Sequence, residues 1–243
     1  MKLLLLAGTG EARELARALD RAGVPAVASL AGATRHPKPL AIPTRVGGFG
    51  DAQGFADYLR AEKISHVLDA THPFASRMSL RSAEVCAGMS VDYAQVLRPA
   101  WEPEAGDRWE MIAREDDAAE YIAEDATVFL ATGRQTLEGF RNLEGRRLIL
   151  RQIDPPTAPF PWEGGEFLIG RPPFSVEDEV SVFTRLGVDW LIVKNAGGVA
   201  SRSKLDAARQ LGLSVAMIAR PAQPDARKFE TVEAAMDWVR RHG

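Results

Sequence analysis

The residues of this 243-residue chain that could do chemistry fall in a few short stretches. In LLLLAGTGEAR, Gly8, Thr9 and Gly10 follow an apolar run and precede an amphipathic one. Two glycines there allow a tight turn and a close approach of backbone N–H groups to an anion, at the positive end of the following helix. A dinucleotide fingerprint, G-x-G-x-x-G, would put a third glycine at position 13, where this chain has Arg13. The arginine is expected to keep the helix from its closest approach to the strand and to turn its guanidinium toward a ligand. GTG alone equally suits a structural turn, with Glu11 favoured by the helix dipole.

In SLAGATRHPKP, an NAD site would place Asp or Glu against the ribose hydroxyls. The chain offers Ser29, Thr34, Arg35 and Lys38 and no carboxylate. Hydroxyls with a cation suit a 2′-phosphate and favour NADP over NAD; the plain alternative is a solvated basic loop. In DATHPFA, Asp69 and Thr71 either cap the next helix, with Pro73 in its first turn, or take part in catalysis, and His72 is a candidate proton donor. VKNAGGVASRSKLDAA gathers Lys194, Asn195, Gly197, Gly198, Ser201 and Lys204 into one glycine turn with an amide, a hydroxyl and two ammonium groups. That set points to a phosphate or polyanion. Thr132, Gly133 and Arg134 in ATGRQT, and Arg220 in ARP, again put arginine just beyond a strand.

The elements that must position these residues are short apolar runs alternating with amphipathic stretches, the pattern of parallel strands joined by helices. Strands are predicted at 2–7, 26–30, 66–70 and 93–97, and helices at 11–22, 51–62 and 74–88. RPAWEPEAGDR, 98–108, reads as a linker or crossover. Beyond it the alternation resumes with strands WEMIA, TVFLAT, RRLILRQI, FLIG, DWLIVKN and SVAMIAR, the amphipathic DAAEYIAED, and helices SVEDEVSVFTRLG, SRSKLDAARQLG and TVEAAMDWVRRH. The fold class is therefore α/β, with two Rossmann-like doubly wound parallel-sheet domains, 1–97 and 98–243, and an interdomain cleft. Ligands in such sheets bind beyond the carboxyl ends of the strands, which is where the stretches above fall.

A net charge of −3, from 30 basic and 33 acidic side chains, gives no bulk attraction for nucleic acid or an anionic membrane, so any anion site must be local. The apolar run Leu3 to Ala7 is too short for a signal-peptide core or a membrane span, and the expected location is the cytoplasm. Cys86, the single cysteine, lies among apolar neighbours and is expected to be a buried structural thiol. His36, His66, His72 and His242 show no ligand spacing with it, and no metal is expected. The Tyr-x-x-x-Lys pair of short-chain dehydrogenases is absent: Glu62, Leu97 and Asp125 stand four residues after Tyr58, Tyr93 and Tyr121.

LLLAGTGEAR, DATHPFA, ATGR, VKNAGG, SKLDAA and MIARP occur in an order and spacing that resembles the precorrin-6A reductases of vitamin B12 biosynthesis, over essentially the whole chain. The resemblance implies NADPH-dependent reduction of a C=C bond of the macrocycle precorrin-6A to precorrin-6B in the aerobic route. A sister branch acts on the cobalt-loaded ring of the anaerobic route. It also implies a tetrapyrrole-derived polycarboxylate as partner, and transient contact with neighbouring pathway enzymes. On this reading Asp69 and His72 are the catalytic candidates. Gly8, Thr9, Gly10, Ser29, Thr34, Arg35, Thr71, Thr132, Gly133, Asn195, Gly197 and Gly198 hold the cofactor, and Arg13, Arg134, Lys194, Ser201, Lys204 and Arg220 meet the carboxylates. A non-catalytic, two-lobed anion-binding protein is the rival reading.

Overall fold

A computed structural model describes residues 1–32 and 39–242. Thr34, Arg35 and Lys38 lie outside the described residues. The chain forms two compact units, Ala100–Arg220 and a first unit made of Met1–Pro99 together with the chain from Pro221 onward.

The first unit is a six-stranded sheet built from β1 (Leu3–Leu6), β2 (Ala26–Leu30), β3 (Thr44–Val46), β4 (His66–Asp69), β5 (Asp92–Val96) and β12 (Arg227–Phe229). Its order is β12-β5-β4-β1-β2-β3, and every neighbouring pair is parallel. The helices are α1 (Gly10–Arg21), α2 (Ala52–Ala61), α3 (Ser76–Gly88) and α6 (Val232–His242). β1 is central and buried on both faces, which is why it reads as an unbroken run of leucines. Leu3 and Leu5 pack with Leu15 and Leu19 of α1 and Trp238 of α6, while Leu4 and Leu6 pack with Phe55, Leu59 and Cys86 of α2 and α3. Each such leucine contributes about 1.5–3 kcal/mol on burial.

The second unit repeats the plan with β6 (Arg108–Ile112), β7 (Thr127–Leu130), β8 (Arg147–Gln152), β9 (Gly165–Ile169), β10 (Trp190–Lys194) and β11 (Ser214–Ile218), in the order β6-β11-β10-β7-β8-β9. α4 (Val176–Leu186) and α5 (Ser203–Leu211) are regular helices, whereas 3₁₀ runs occupy Glu115–Glu120 and Arg134–Leu143. α4 begins with a capping box between Ser175 and Asp178 and ends at Gly187 in the left-handed region.

Both sheets have the doubly wound order 3-2-1-4-5-6, counting from β1 in one and β7 in the other. They differ in where the sixth strand originates. The second unit takes it from β6, ahead of its own first strand; the first takes it from β12, after the chain has completed the second unit. The expected boundary near 98 falls next to the observed one at Pro99, but 98–243 is not a single domain, because from Pro221 the chain returns to the first sheet.

Candidate active site

In a sheet of this order the crevice opens beyond the first and fourth strands, where the connections leave in opposite directions. In the first unit that point lies beyond β1 and β4. Thr9 spans it: its hydroxyl donates to the Ala70 carbonyl at 2.8 Å and accepts from the Ala12 N–H at 3.2 Å, capping α1. Gly8 and Gly10 flank Thr9 without a left-handed φ. Among the described residues, a Cβ built on Gly8 would meet nothing within 4 Å, and one on Gly10 only the Arg13 guanidinium at 3.9 Å. Neither backbone strain nor crowding from the described residues demands these glycines. Arg13 is exposed, and the face of α1 against the sheet is formed by Ala12, Leu15, Ala16 and Leu19. The expected obstruction of helix packing is therefore corrected: position 13 points away from the strand and needs no glycine. Glu11 pairs with Arg98 at 2.8 Å, tying the start of α1 to the end of β5.

At the end of β2, Ser29 is buried and its hydroxyl accepts from Arg45 at 2.8 Å. Sequence reading missed Arg45, which sits on the three-residue edge strand β3. Its guanidinium also donates to the carbonyls of Gly47 and Gly48 and lies 4.1 Å over the Phe49 ring. The only hint in the sequence was a basic residue ahead of Gly47-Gly48.

DATHPFA begins at the end of β4. Asp69 is fully buried; one oxygen accepts from the Thr71 N–H at 2.9 Å and the other from the Tyr93 hydroxyl at 2.7 Å. Burial, with the Asp69 charge beside it, pushes the Tyr93 hydroxyl up and keeps it protonated as the donor. As a catalytic candidate Asp69 is thus corrected: it binds β4 to β5 and has no exposed oxygen. Thr71 faces Ser79 of α3 at 3.4 Å. His72 is exposed, and its Nδ1 accepts from the Phe74 N–H at 3.3 Å. The next carbonyl, Pro73, accepts from Gln223, whose Oε1 in turn accepts from Gln95 of β5. Cys86 is fully buried, and burial raises its thiol to about 12, an inert structural side chain.

In the second unit the corresponding point lies beyond β7 and β10. Thr132 is buried there with its hydroxyl unpartnered among the described residues, followed by Gly133 at φ +81° and the exposed Arg134. Lys194 ends β10, and burial lowers its ammonium while Glu115 opposes the shift. Gly197 and Gly198 adopt φ +69° and +79°, a region in which glycine alone is unstrained. The Asn195 carboxamide is not turned to a ligand. Its Oδ1 accepts from the Trp101 N–H at 2.8 Å and its Nδ2 donates to the Trp101 carbonyl at 2.9 Å, so its expected cofactor contact is corrected to a structural one. Arg220 donates to the carbonyls of Asn195 and Ala196 at 3.3 and 3.1 Å. Ser201 is exposed and its carbonyl accepts from the Lys204 ammonium at 2.5 Å. Burial brings Lys204 down to about 8, with Glu179 opposing and Arg151 assisting. Arg151 and Glu179, themselves buried, form a double hydrogen bond with both distances at 2.7 Å, and the guanidinium lies 4.2 Å over Phe174.

Each unit thus gathers its own predicted residues at the carboxyl ends of its strands: Gly8, Thr9, Gly10, Ser29, Thr71 and His72 in one, Thr132, Gly133, Arg134, Lys194, Gly197 and Gly198 in the other. This defines a doubly wound α/β protein with a glycine-bearing loop at the switch point of each of two sheets. The family model for precorrin-6x reductase CbiJ/CobK matches residues 2–240. The chain is 41% identical over 246 residues to Precorrin-6A reductase of Rhodobacter capsulatus, covering 100% of this chain and 97% of that one. It is likewise 41% identical over 241 residues to Precorrin-6A reductase of Rhodococcus erythropolis, with 98% and 97% covered. A solved structure described as CobK precorrin-6A reductase is similar with a TM-score of 0.95 and 40% identity, over 100% of this chain and 97% of that one. The chain belongs to the precorrin-6x reductase CbiJ/CobK family.

Proposed function

We propose that the protein reduces precorrin-6A to precorrin-6B with NADPH, adding two hydrogens across one unsaturated bond of the macrocycle in the aerobic route to cobalamin. The observation that carries the cofactor assignment is the loop after β1. Glycines that the geometry of the described residues does not require leave open space among them at a switch point, and a phosphate needs that space to reach backbone N–H groups. The end of β2 supports a 2′-phosphate, because Ser29 and Arg45 stand where an NAD site carries a carboxylate. Thr34 and Arg35 belong to the same connection. The substrate assignment is supported by the two relatives at 41% identity named for precorrin-6A.

Bound there, the cofactor supplies hydride. The first unit holds it through Gly8, Thr9, Gly10, Ser29, Arg45 and Thr71. His72 is the proposed proton donor. To deliver a proton the ring must be the imidazolium, in which Nδ1 also carries a hydrogen and gives up the Phe74 N–H, leaving Nε2–H as the donor. In the second unit Gly133, Arg134, Lys194, Gly197, Gly198, Ser201 and Lys204 bind the acetate and propionate groups, and Arg220 holds the loop they stand on. The enzyme works in the cytoplasm and passes its product on through transient contact with neighbouring enzymes.

The test is NADPH oxidation by the purified protein with precorrin-6A, compared with NADH and with the cobalt complex of the ring. Rapid oxidation of NADPH alone, and an Arg45→Ala variant that narrows the preference over NADH, are the expected results. Turnover of the cobalt complex only, or equal use of NADH, overturns the assignment. An anion carrier would bind the ring and oxidise nothing.

A further inference from the structure

We infer that Trp101, the second residue of the second unit, is a positioning residue for the substrate, acting through the glycine loop that follows β10. The inference rests on the reading above that this loop receives the macrocycle's carboxylates.

Gly197 and Gly198 are adjacent and both left-handed, so the loop would lose much backbone freedom on closing around a ligand. The chain counters this at three carbonyl oxygens. Arg220 holds those of Asn195 and Ala196, and the Trp101 indole N–H holds that of Gly198 at 2.8 Å. Trp101 is itself immobilised, being 7% exposed in the core with Phe129, Phe183 and Leu191, its backbone N–H and C=O both paired with the Asn195 side chain. A trans peptide points its C=O and N–H in opposite directions. Fixing the Gly198 carbonyl on the indole therefore turns the Val199 N–H the other way, at a residue that is 91% exposed. The indole thereby presets one donor for an anion, and a preset donor binds without the entropy of ordering two glycines.

Trp101→Phe keeps an aromatic ring in the core and deletes the indole donor together with part of the ring volume. Calorimetric titration with precorrin-6A, without NADPH, should give a Kd about tenfold higher than wild type, the loss of roughly one hydrogen bond's worth of preorganisation. The Kd for NADPH and kcat at saturating substrate should stay within about twofold. Hydrogen exchange should quicken in the peptide spanning 195–201 and not in β7 or β10. Should the phenylalanine variant fail to fold, 3-benzothienylalanine at position 101, which has the shape of tryptophan without the N–H, is read in the same way. A folded variant with wild-type affinity for precorrin-6A overturns the inference, as does one that weakens NADPH and precorrin-6A alike. Wild-type protein that does not bind precorrin-6A at all overturns the functional reading itself.

Discussion

Gly8→Ala separates a ligand cradle from a structural turn, because the two readings predict opposite signs. The added methyl meets nothing within 4 Å among the described residues, and the backbone at Gly8 lies outside the left-handed region. Alanine at such a site stabilises a fold by about 0.4–1 kcal/mol, through the smaller conformational freedom of the unfolded chain. The same methyl occupies the space a phosphate needs to reach the backbone. Losing one charge-assisted hydrogen bond costs about 1.5–3 kcal/mol, which raises the Kd for NADPH about 10- to 150-fold. Thermal unfolding reads both effects. With NADPH at a hundred times the wild-type Kd, linkage stabilises the wild type by about 2.7 kcal/mol, or roughly 5–10 °C for a chain of this size. For a variant binding 100-fold more weakly the same NADPH adds only about 0.4 kcal/mol, near 1 °C. Without NADPH the variant should melt at or slightly above the wild-type temperature. A full NADPH-induced shift in Gly8→Ala, or a ligand-free variant that melts well below wild type, refutes the reasoning.

Three further outcomes follow from the site. The Lys204 ammonium, brought to about 8 by burial, binds carboxylate only when protonated, so KM for the macrocycle should rise as pH passes upward through about 8. Lys204→Arg, which stays charged, should abolish that limb of the pH profile. His72→Ala should lower kcat by about 100-fold if its ring delivers the proton, with NADPH affinity unchanged; full turnover would assign the proton to water. Arg151→Met leaves the buried Glu179 carboxylate without its double hydrogen bond and should cost about 3–5 kcal/mol in urea unfolding. Replacing both residues by apolar ones should recover much of that loss.

The elements with strong periodicity were legible in the sequence, and those defined only by pairing were not. β2 was read at its observed bounds and β1, β4 and β5 within a residue or two, since buried parallel strands are continuous apolar runs. β3 and β12 have three residues each, Thr-Arg-Val and Arg-Lys-Phe, too short to carry a period, and they are strands only because a neighbour pairs with them. DAAEYIAED has the look of a helix, yet only Glu115–Glu120 coils, as a 3₁₀ run. At the site, residue type and position after a strand located the loops but did not tell which side chains the fold itself engages. Asp69, Asn195 and Arg220 are polar residues beyond strand ends, and each is bound to the chain's own backbone or to Tyr93. Arg45 went unread for the converse reason: it reaches Ser29 from a strand that has no signature.

The late return of the chain has a consequence for both loops. α6 supplies Ala235, Met236, Trp238 and Val239 to the cluster that covers Leu3, Leu5, Leu15 and Leu19, so the α1 face of the first sheet is complete only when the last helix is in place. The returning segment also brings Gln223 to the Pro73 carbonyl, one residue from His72. On its way out of the second unit the chain leaves Arg220 on the carbonyls of Asn195 and Ala196, and on its way in it leaves Trp101 on that of Gly198. The places where the chain passes from one unit to the other therefore carry residues that hold the loop after β10 and the Pro73 carbonyl. The strand that completes the first sheet thus arrives on the same returning segment that holds the carbonyl next to His72.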